Sequence, residues 1–202
     1  DRGAQVVLVT GPTSIPLPQG IEVVSVRSAL QMRAALQSAL PRADAVIMTA
    51  AVADYRPAEM REQKIKKQVE NISIELVKNP DILAELGRER SGRRPVLVGF
   101  AMETQEVAAY GRKKLRDKRV DLIVANEASV AFGGDDNQAT LVSEAGDEEL
   151  PPMPKLELAR RILDRVVSLF PSALALKENR PGRRPRAPRQ ARRRKDRSRS
   201  KG

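Results

Sequence analysis

DAVIMTAAVADYRPAEMREQKIKK, from Asp44 to Lys67, is the stretch whose reading decides the fold. Ala45, Val46, Ile47 and Met48 form a short apolar run of the kind a parallel strand shows when both its faces are covered. The run predicts a strand that ends near Ala50. Ala51, Val52 and Ala53 follow, too small to fill a pocket themselves, then Asp54, the pair Arg56-Pro57, and, after a polar gap, Lys64, Lys66 and Lys67. An acid and several cations are thereby gathered near one strand end. In an open α/β sheet, loops and helix N-termini converge on that edge and ligands bind there. The arrangement suits a phosphate-rich ligand with a metal ion.

Working outward, QVVLVT at Gln5 to Thr10 predicts a first strand, and the proline- and glycine-rich Gly11 to Gly20 a loop. A second strand is expected over Ile21 to Val26. Ser28 with Gln31 three residues on is a capping-box pattern, and apolar residues from Ala29 to Leu40 recur at helical spacing. Downstream, Ile72, Ile74 and Leu76 alternate with polar residues as a half-exposed strand would. Asn79-Pro80 reads as the start of a helix, Asn79 at the cap and Ile82, Leu83 and Leu86 facing in. Pro95 to Phe100 and Val120 to Ala125 read as further buried strands. They bracket a helix capped by Thr104 that carries Val107, Ala108, Gly111 and Leu115 on one side. A short β segment at Ala139 to Ser143, an acidic turn at Glu144 to Glu149 and a helix from about Lys155 to Phe170 follow. Alternation of this kind predicts an α/β domain, a Rossmann-like, mostly parallel sheet flanked by helices. Its boundaries are read as 1–170, with a disordered Arg-rich tail over 171–202.

The chain has 202 residues and a formal net charge of +11. Of its 37 Lys and Arg, 13 lie between Lys177 and Gly202 with only 2 of the 26 Asp and Glu, which leaves 24 of each sign in the body. The body therefore has no overall basic field of the sort that argues for a polyanion surface. There is no Cys and no His, so disulfides, thiolate chemistry, the usual zinc sites and a histidine acid or base are all excluded. No apolar run of membrane-spanning length occurs. The opening DRGAQVVLVTGP has neither a charged-then-apolar leader nor an initiating Met, and is expected to follow a helix of a longer protein.

The parallel order predicts that Thr10-Gly11-Pro12, Ala50 to Asp54 and Phe100 to Thr104 share one edge, with Asn126 closing a fourth strand. Asp54 could ligate Mg²⁺ or accept bonds from a ribose; its plainer reading is a turn Asp bonding its own backbone. Lys64 and Lys66 share a face if extended and could approach phosphates, or they form an ordinary solvated run. Lys114 and Lys118 sit one helical turn apart and could reach a common anion, or belong to an exposed face.

Taken together, AAVADYRP at Ala50 to Pro57, KIKK at Lys64 to Lys67, KNPDIL at Lys78 to Leu83, GFAMET at Gly99 to Thr104, the Lys114/Lys118 pair before DLIVAN at Asp121 to Asn126, and FGGDDN at Phe132 to Asn137 resemble bacterial phosphopantothenoylcysteine synthetase. The resemblance covers about residues 3 to 170. It implies a cytoplasmic, CTP-dependent phosphopantothenate–cysteine ligase of coenzyme A biosynthesis. In that chemistry 4′-phosphopantothenate becomes an acyl-cytidylate with loss of pyrophosphate, and cysteine then displaces CMP. Nucleotide binding is implied for Met48, Thr49, Ala50, Asp54, Lys64, Pro80, Asp81, Ile82, Leu83, Phe100, Lys114 and Lys118. Lys64 and Asp54 are the implied catalytic residues, with Asp54 holding Mg²⁺ and Arg56 to Lys67 closing as a lid. A homodimer and an upstream decarboxylase domain, with FMN confined to that domain, are further implications. The family's first strand, Gly/Ser-rich turn and following helix have no counterpart in the chain. An NADP-binding Rossmann-type oxidoreductase and a nucleic-acid-binding module run by the tail are the competing readings; against the first, no GxGxxG occurs.

Overall fold

A computed structural model of the protein describes residues 2–59, 71–92, 94–103, 106–127 and 136–170. Lys64, Lys66, Lys67, Thr104, the FGGD of Phe132 to Asp135 and the whole tail lie outside the described residues.

The apolar run at 45–48 becomes strand β3 (Ala45–Met48), and β6 (Val96–Glu103) and β7 (Leu122–Glu127) join it in parallel. Beyond β7 the sheet turns antiparallel through β8 (Asp136–Ser143) and β9 (Gly146–Pro154), giving the order β3-β6-β7-β8-β9. β7 is central, and its continuous LIVA run is covered on both faces: Leu122, Ile123, Val124 and Ala125 are all buried. One face packs under α1 (Ala29–Ala39), α2 (Ile82–Glu89) and α3 (Val107–Lys118), through Met32, Leu83, Leu86 and Leu115. The other packs under α4 (Lys155–Ser168) through Leu158, Ile162 and Val166. The result is the mixed α/β fold expected, with helices on both sides of a mostly parallel central sheet. No helix among the described residues is long and apolar enough to cross a membrane.

The capping reading at Ser28 holds, since its side chain accepts from Gln31 N at 3.2 Å. Gln31 Oε1 in turn accepts from Arg27 N at 2.7 Å, so two donors at the start of α1 are satisfied reciprocally.

Other expectations are corrected. β1 (Val7–Thr10) and β2 (Glu22–Ser25) pair in parallel as a two-stranded sheet of their own. They meet the larger sheet through side chains, Val9 and Val24 packing on the same apolar cluster as Val46 and Met48. β3 is consequently an edge strand, and Ile47, expected to be covered, is 39% exposed. The alternating segment at 72–77 is strand only over β5 (Leu76–Lys78). Its apolar residues Ile72, Ile74 and Leu76 point outward, while Val77 faces in, because β5 pairs with an unforeseen strand β4 (Tyr55–Pro57) and with nothing else. The acidic stretch 144–149 turns only as far as Gly146 and then runs as β9, whose three prolines sit where an outer strand tolerates them.

Candidate functional site

After Met48 the chain leaves the sheet through Thr49 to Ala53 and enters an arm made of β4 and β5. Tyr55 pairs with Lys78 and Pro57 with Leu76, while Asn79 N donates to Asp54 O at 2.7 Å. The side chain of Asn79, one of two polar residues buried among those described, completes the tie. Its Nδ2 donates to Ala53 O at 2.8 Å and its Oδ1 accepts from Arg56 Nη1 at 3.1 Å. Arg56 Nη1 also donates to Lys78 O at 2.8 Å. This network holds the AAVAD turn beside the start of α2.

Asn79 was read as the cap of that helix, and the structure corrects this. With its amide committed to Ala53 and Arg56, the cap falls to Asp81, whose Oδ1 accepts from Ala84 N at 3.1 Å. Ile82, Leu83 and Leu86 do face the core. Leu83 lies against Gly99 of β6, where an added Cβ would come within 2.5 Å of its methyl group. A bare backbone at position 99 thus lets α2 settle onto the sheet end.

Between the arm, the ends of β3 and β6, and the start of α2 lies a cleft of about 240 Å³. Of the residues implied for nucleotide binding, it is lined by Met48 at the end of β3, Ala50 and Asp54 from the loop after it, Pro80 and Asp81 before α2, Ile82 and Leu83 in its first turn, Phe100 from β6 and Lys118 from α3. Thr49 is exposed and Lys114 half-buried, and neither lines it. Asn126, one residue before the end of β7, has its Oδ1 buried without a hydrogen-bond partner among the described residues and lies outside the cleft. Val52 and Ala53, within the Ala50 to Asp54 turn expected at this edge, also line it, as do Lys78 and Asn79, which were not among the residues implied for nucleotide binding. Asn79 had a signal, since N-P-D offers two cap residues and only one can serve; Lys78 had none that separates it from any other lysine at a strand end.

Lys118 Nζ donates to Asp81 Oδ1 and Oδ2 at 3.0 and 2.9 Å. Partial burial pushes the Asp81 carboxyl upward, but the bonds from Lys118 and Ala84 N outweigh it and hold the group below its ordinary value. Asp54 is exposed and lines the cleft, and its carboxylate has no hydrogen-bond or ion-pair partner among the described residues. No group of three or more metal-ligating side chains occurs among the described residues. One exposed carboxylate beside a ligand cleft does fit a magnesium ion, which uses one or two carboxylates and completes its shell with substrate phosphates and water.

A family model describing the DNA/pantothenate metabolism flavoprotein C-terminal domain matches residues 1–170. The chain belongs to that family. Among relatives of this flavoprotein C-terminal domain, the coenzyme A biosynthesis bifunctional protein CoaBC of Bacillus subtilis is 43% identical over 172 residues, covering 83% of this chain and 42% of that protein. CoaBC of Escherichia coli K12 is 41% identical over 175 residues, covering 84% and 43%. The chain therefore spans about two-fifths of the length of the curated relatives it matches. A solved C-terminal domain of CoaBC superposes with a TM-score of 0.68 at 36% identity, over 88% of this chain and 77% of the other. These likenesses favour the flavoprotein C-terminal domain reading over the oxidoreductase and nucleic-acid alternatives.

Proposed function

We propose that the domain is a phosphopantothenate–cysteine ligase of coenzyme A biosynthesis. The observation that carries this reading is the convergence of nine of the twelve implied nucleotide residues around one cleft at the carboxyl ends of β3 and β6. That edge is where an open parallel sheet binds its ligands. Membership of the family, and the names its relatives carry, support the same activity.

In the proposed reaction the carboxylate of 4′-phosphopantothenate attacks the α-phosphorus of CTP, pyrophosphate leaves, and an acyl-cytidylate forms. The amine of cysteine then attacks the acyl carbon, CMP leaves with the bonding pair, and the amide remains. Asp54, at the mouth of the cleft, would hold Mg²⁺ against the phosphates, where the ion's charge offsets theirs. Lys64, outside the described residues, is assigned the charge that stabilises the transition state at phosphorus. Of the expected lid over residues 56–67, Arg56 and Pro57 belong to β4 and residues 60–67 lie outside the described residues. A homodimer belongs to the same proposal and is checked by light scattering.

Calorimetric titration with CTP, ATP and NADP⁺ in the presence of Mg²⁺ tests the nucleotide, and pyrophosphate release dependent on phosphopantothenate tests the chemistry. CTP uptake weakened by Asp54→Ala and by Lys64→Ala is the expected result. Binding of NADP⁺ alone would overturn the assignment.

A further inference from the structure

Along α4, Arg161, Asp164, Arg165 and Ser168 stand three or four residues apart and so share one face of the helix, beside the apolar face that packs on the sheet. With Glu148 of β9 they line a second groove, of about 210 Å³. Arg165 is bonded there to Ser143, which pairs with Leu122, the first residue of β7. The groove therefore lies toward the amino end of β7, whereas the cleft described above lies at the carboxyl ends of β3 and β6.

The charges in this groove do not cancel. Glu148 Oε1 accepts from Arg161 Nη2 at 2.7 Å, and Asp164 Oδ1 accepts from Arg2 Nη1 at 2.6 Å. Each carboxylate thus has a guanidinium of its own. Arg165 is the one left over: it has no ion-pair partner among the described residues, and its hydrogen bond there runs from Nη2 to Ser143 Oγ at 2.7 Å. Its Nε is buried without an acceptor. A guanidinium has five N–H donors, so most of this one's capacity is unspent although the residue is half-buried. Hydration lost without a counter-charge in return is costly, and an arriving anion would offset that cost.

The cation is also held in place beforehand. Ser143 is buried, and its hydroxyl donates to Gly146 O at 2.9 Å, which fixes the lone pair it offers to Arg165. Little side-chain freedom is then left to lose on binding. Charge and shape indicate which anion fits. Three guanidiniums against two carboxylates leave one positive charge, which a monoanion neutralises, while a dianion would set a surplus negative charge against Glu148 and Asp164. The planar fork of a guanidinium matches a carboxylate. The volume falls below the range of about 300–1,000 Å³ usual for larger ligands, which favours a small acid.

We propose that the groove between α4 and β9 is a binding site for a small monocarboxylate, with Arg165 as its main contact. The site is independent of the ligase reading, and neither depends on the other.

The test is an NMR titration of the isotope-labelled full chain with sodium acetate, sodium chloride or sodium phosphate at constant ionic strength, following the backbone amides of Glu148, Arg161 and Ser168. Acetate is expected to shift them to saturation, chloride to leave them in place and phosphate to bind more weakly than acetate. Arg165→Lys keeps the charge but loses the fork, and is expected to weaken acetate about tenfold, the worth of one hydrogen bond to a charged group. Ser143→Ala keeps the guanidinium but releases its anchor, and is expected to weaken acetate by a smaller factor, with melting curves checking that both variants fold. No saturable response to acetate in the wild type, the same response to chloride, tighter binding of phosphate than of acetate, or undiminished acetate binding by a folded Arg165→Lys would overturn the site. Should Arg165→Lys not fold, undiminished acetate binding by Ser143→Ala would overturn it instead.

Discussion

Asp81 shows how one side chain can serve local structure and the site at once. It closes the N-terminus of α2 and neutralises Lys118, so its effect on stability depends on its charge. Its carboxyl is held below the ordinary value in the folded protein. A group depressed in this way contributes stability above its unfolded pKa of about 3.9, and the contribution is lost as pH falls through the lower folded value. Asp81→Ala is therefore expected to cost about 1 kcal/mol near neutrality, the usual cost of a lost cap. Urea denaturation of both proteins should show that difference shrinking as the pH is taken below about 4. The family resemblance implied Asp81 at the ligand, while the residue pattern gave the cap to Asn79. Asx residues on either side of a proline satisfy the same local rule, and only the position of Ala53 and Arg56, distant in the chain, decides between them.

At the scale of elements, the cleft's helix wall depends on how α2 and α3 meet. A Cβ on Gly87 would come within 1.9 Å of the Lys118 carbonyl oxygen, so the glycine sets the closest approach of the two helices. Gly87→Ala is expected to cost about 1–3 kcal/mol by overpacking. Because Lys118 itself must move, it should also weaken CTP binding, and calorimetry beside a melting curve separates the two effects.

The far end of α2 is fastened differently. Arg90 there forms a hydrogen-bonded ion pair with Asp121, whose Oδ2 also accepts from Leu97 N at 2.8 Å, and Arg90 Nη2 donates to Arg119 O at 2.8 Å. The side chains are only 10% and 14% exposed. Removing one partner of such a pair strands a buried charge, so Arg90→Met is expected to lose about 3–5 kcal/mol. The double variant Arg90→Met/Asp121→Asn should recover part of the loss, which a double-mutant cycle would measure. Neither contact was legible in the chain, since Gly87 reads as an ordinary weak point in a helix and Arg90 as one surface cation among several.

At the scale of the whole molecule, charge and chemistry are separable. The body is neutral by count, and the net +11 resides in residues 177–202. Deleting those residues is expected to leave CTP affinity within about twofold, and to abolish any salt-sensitive binding to nucleic acid. A nucleotide affinity that fell with the deletion would place the tail in the site and count against the ligand chemistry argued here. The sequence by itself determined the alternation of strands and helices, the apolar face of α2, and the place of Asp54 at one sheet edge, while Asp81 and Lys118 joined it only through the family resemblance. Those follow from periodicities and from the parallel order, which are local or nearly so. Only the tertiary structure decided that β1 and β2 stand as a separate sheet, that β4 and β5 form an arm, that Ile72, Ile74 and Leu76 face out, and that Lys78 and Asn79 line the cleft. Each of these depends on which partner a strand finds. Pairing is chosen by residues far apart in the chain, and a shift of one position turns every side chain to the other face.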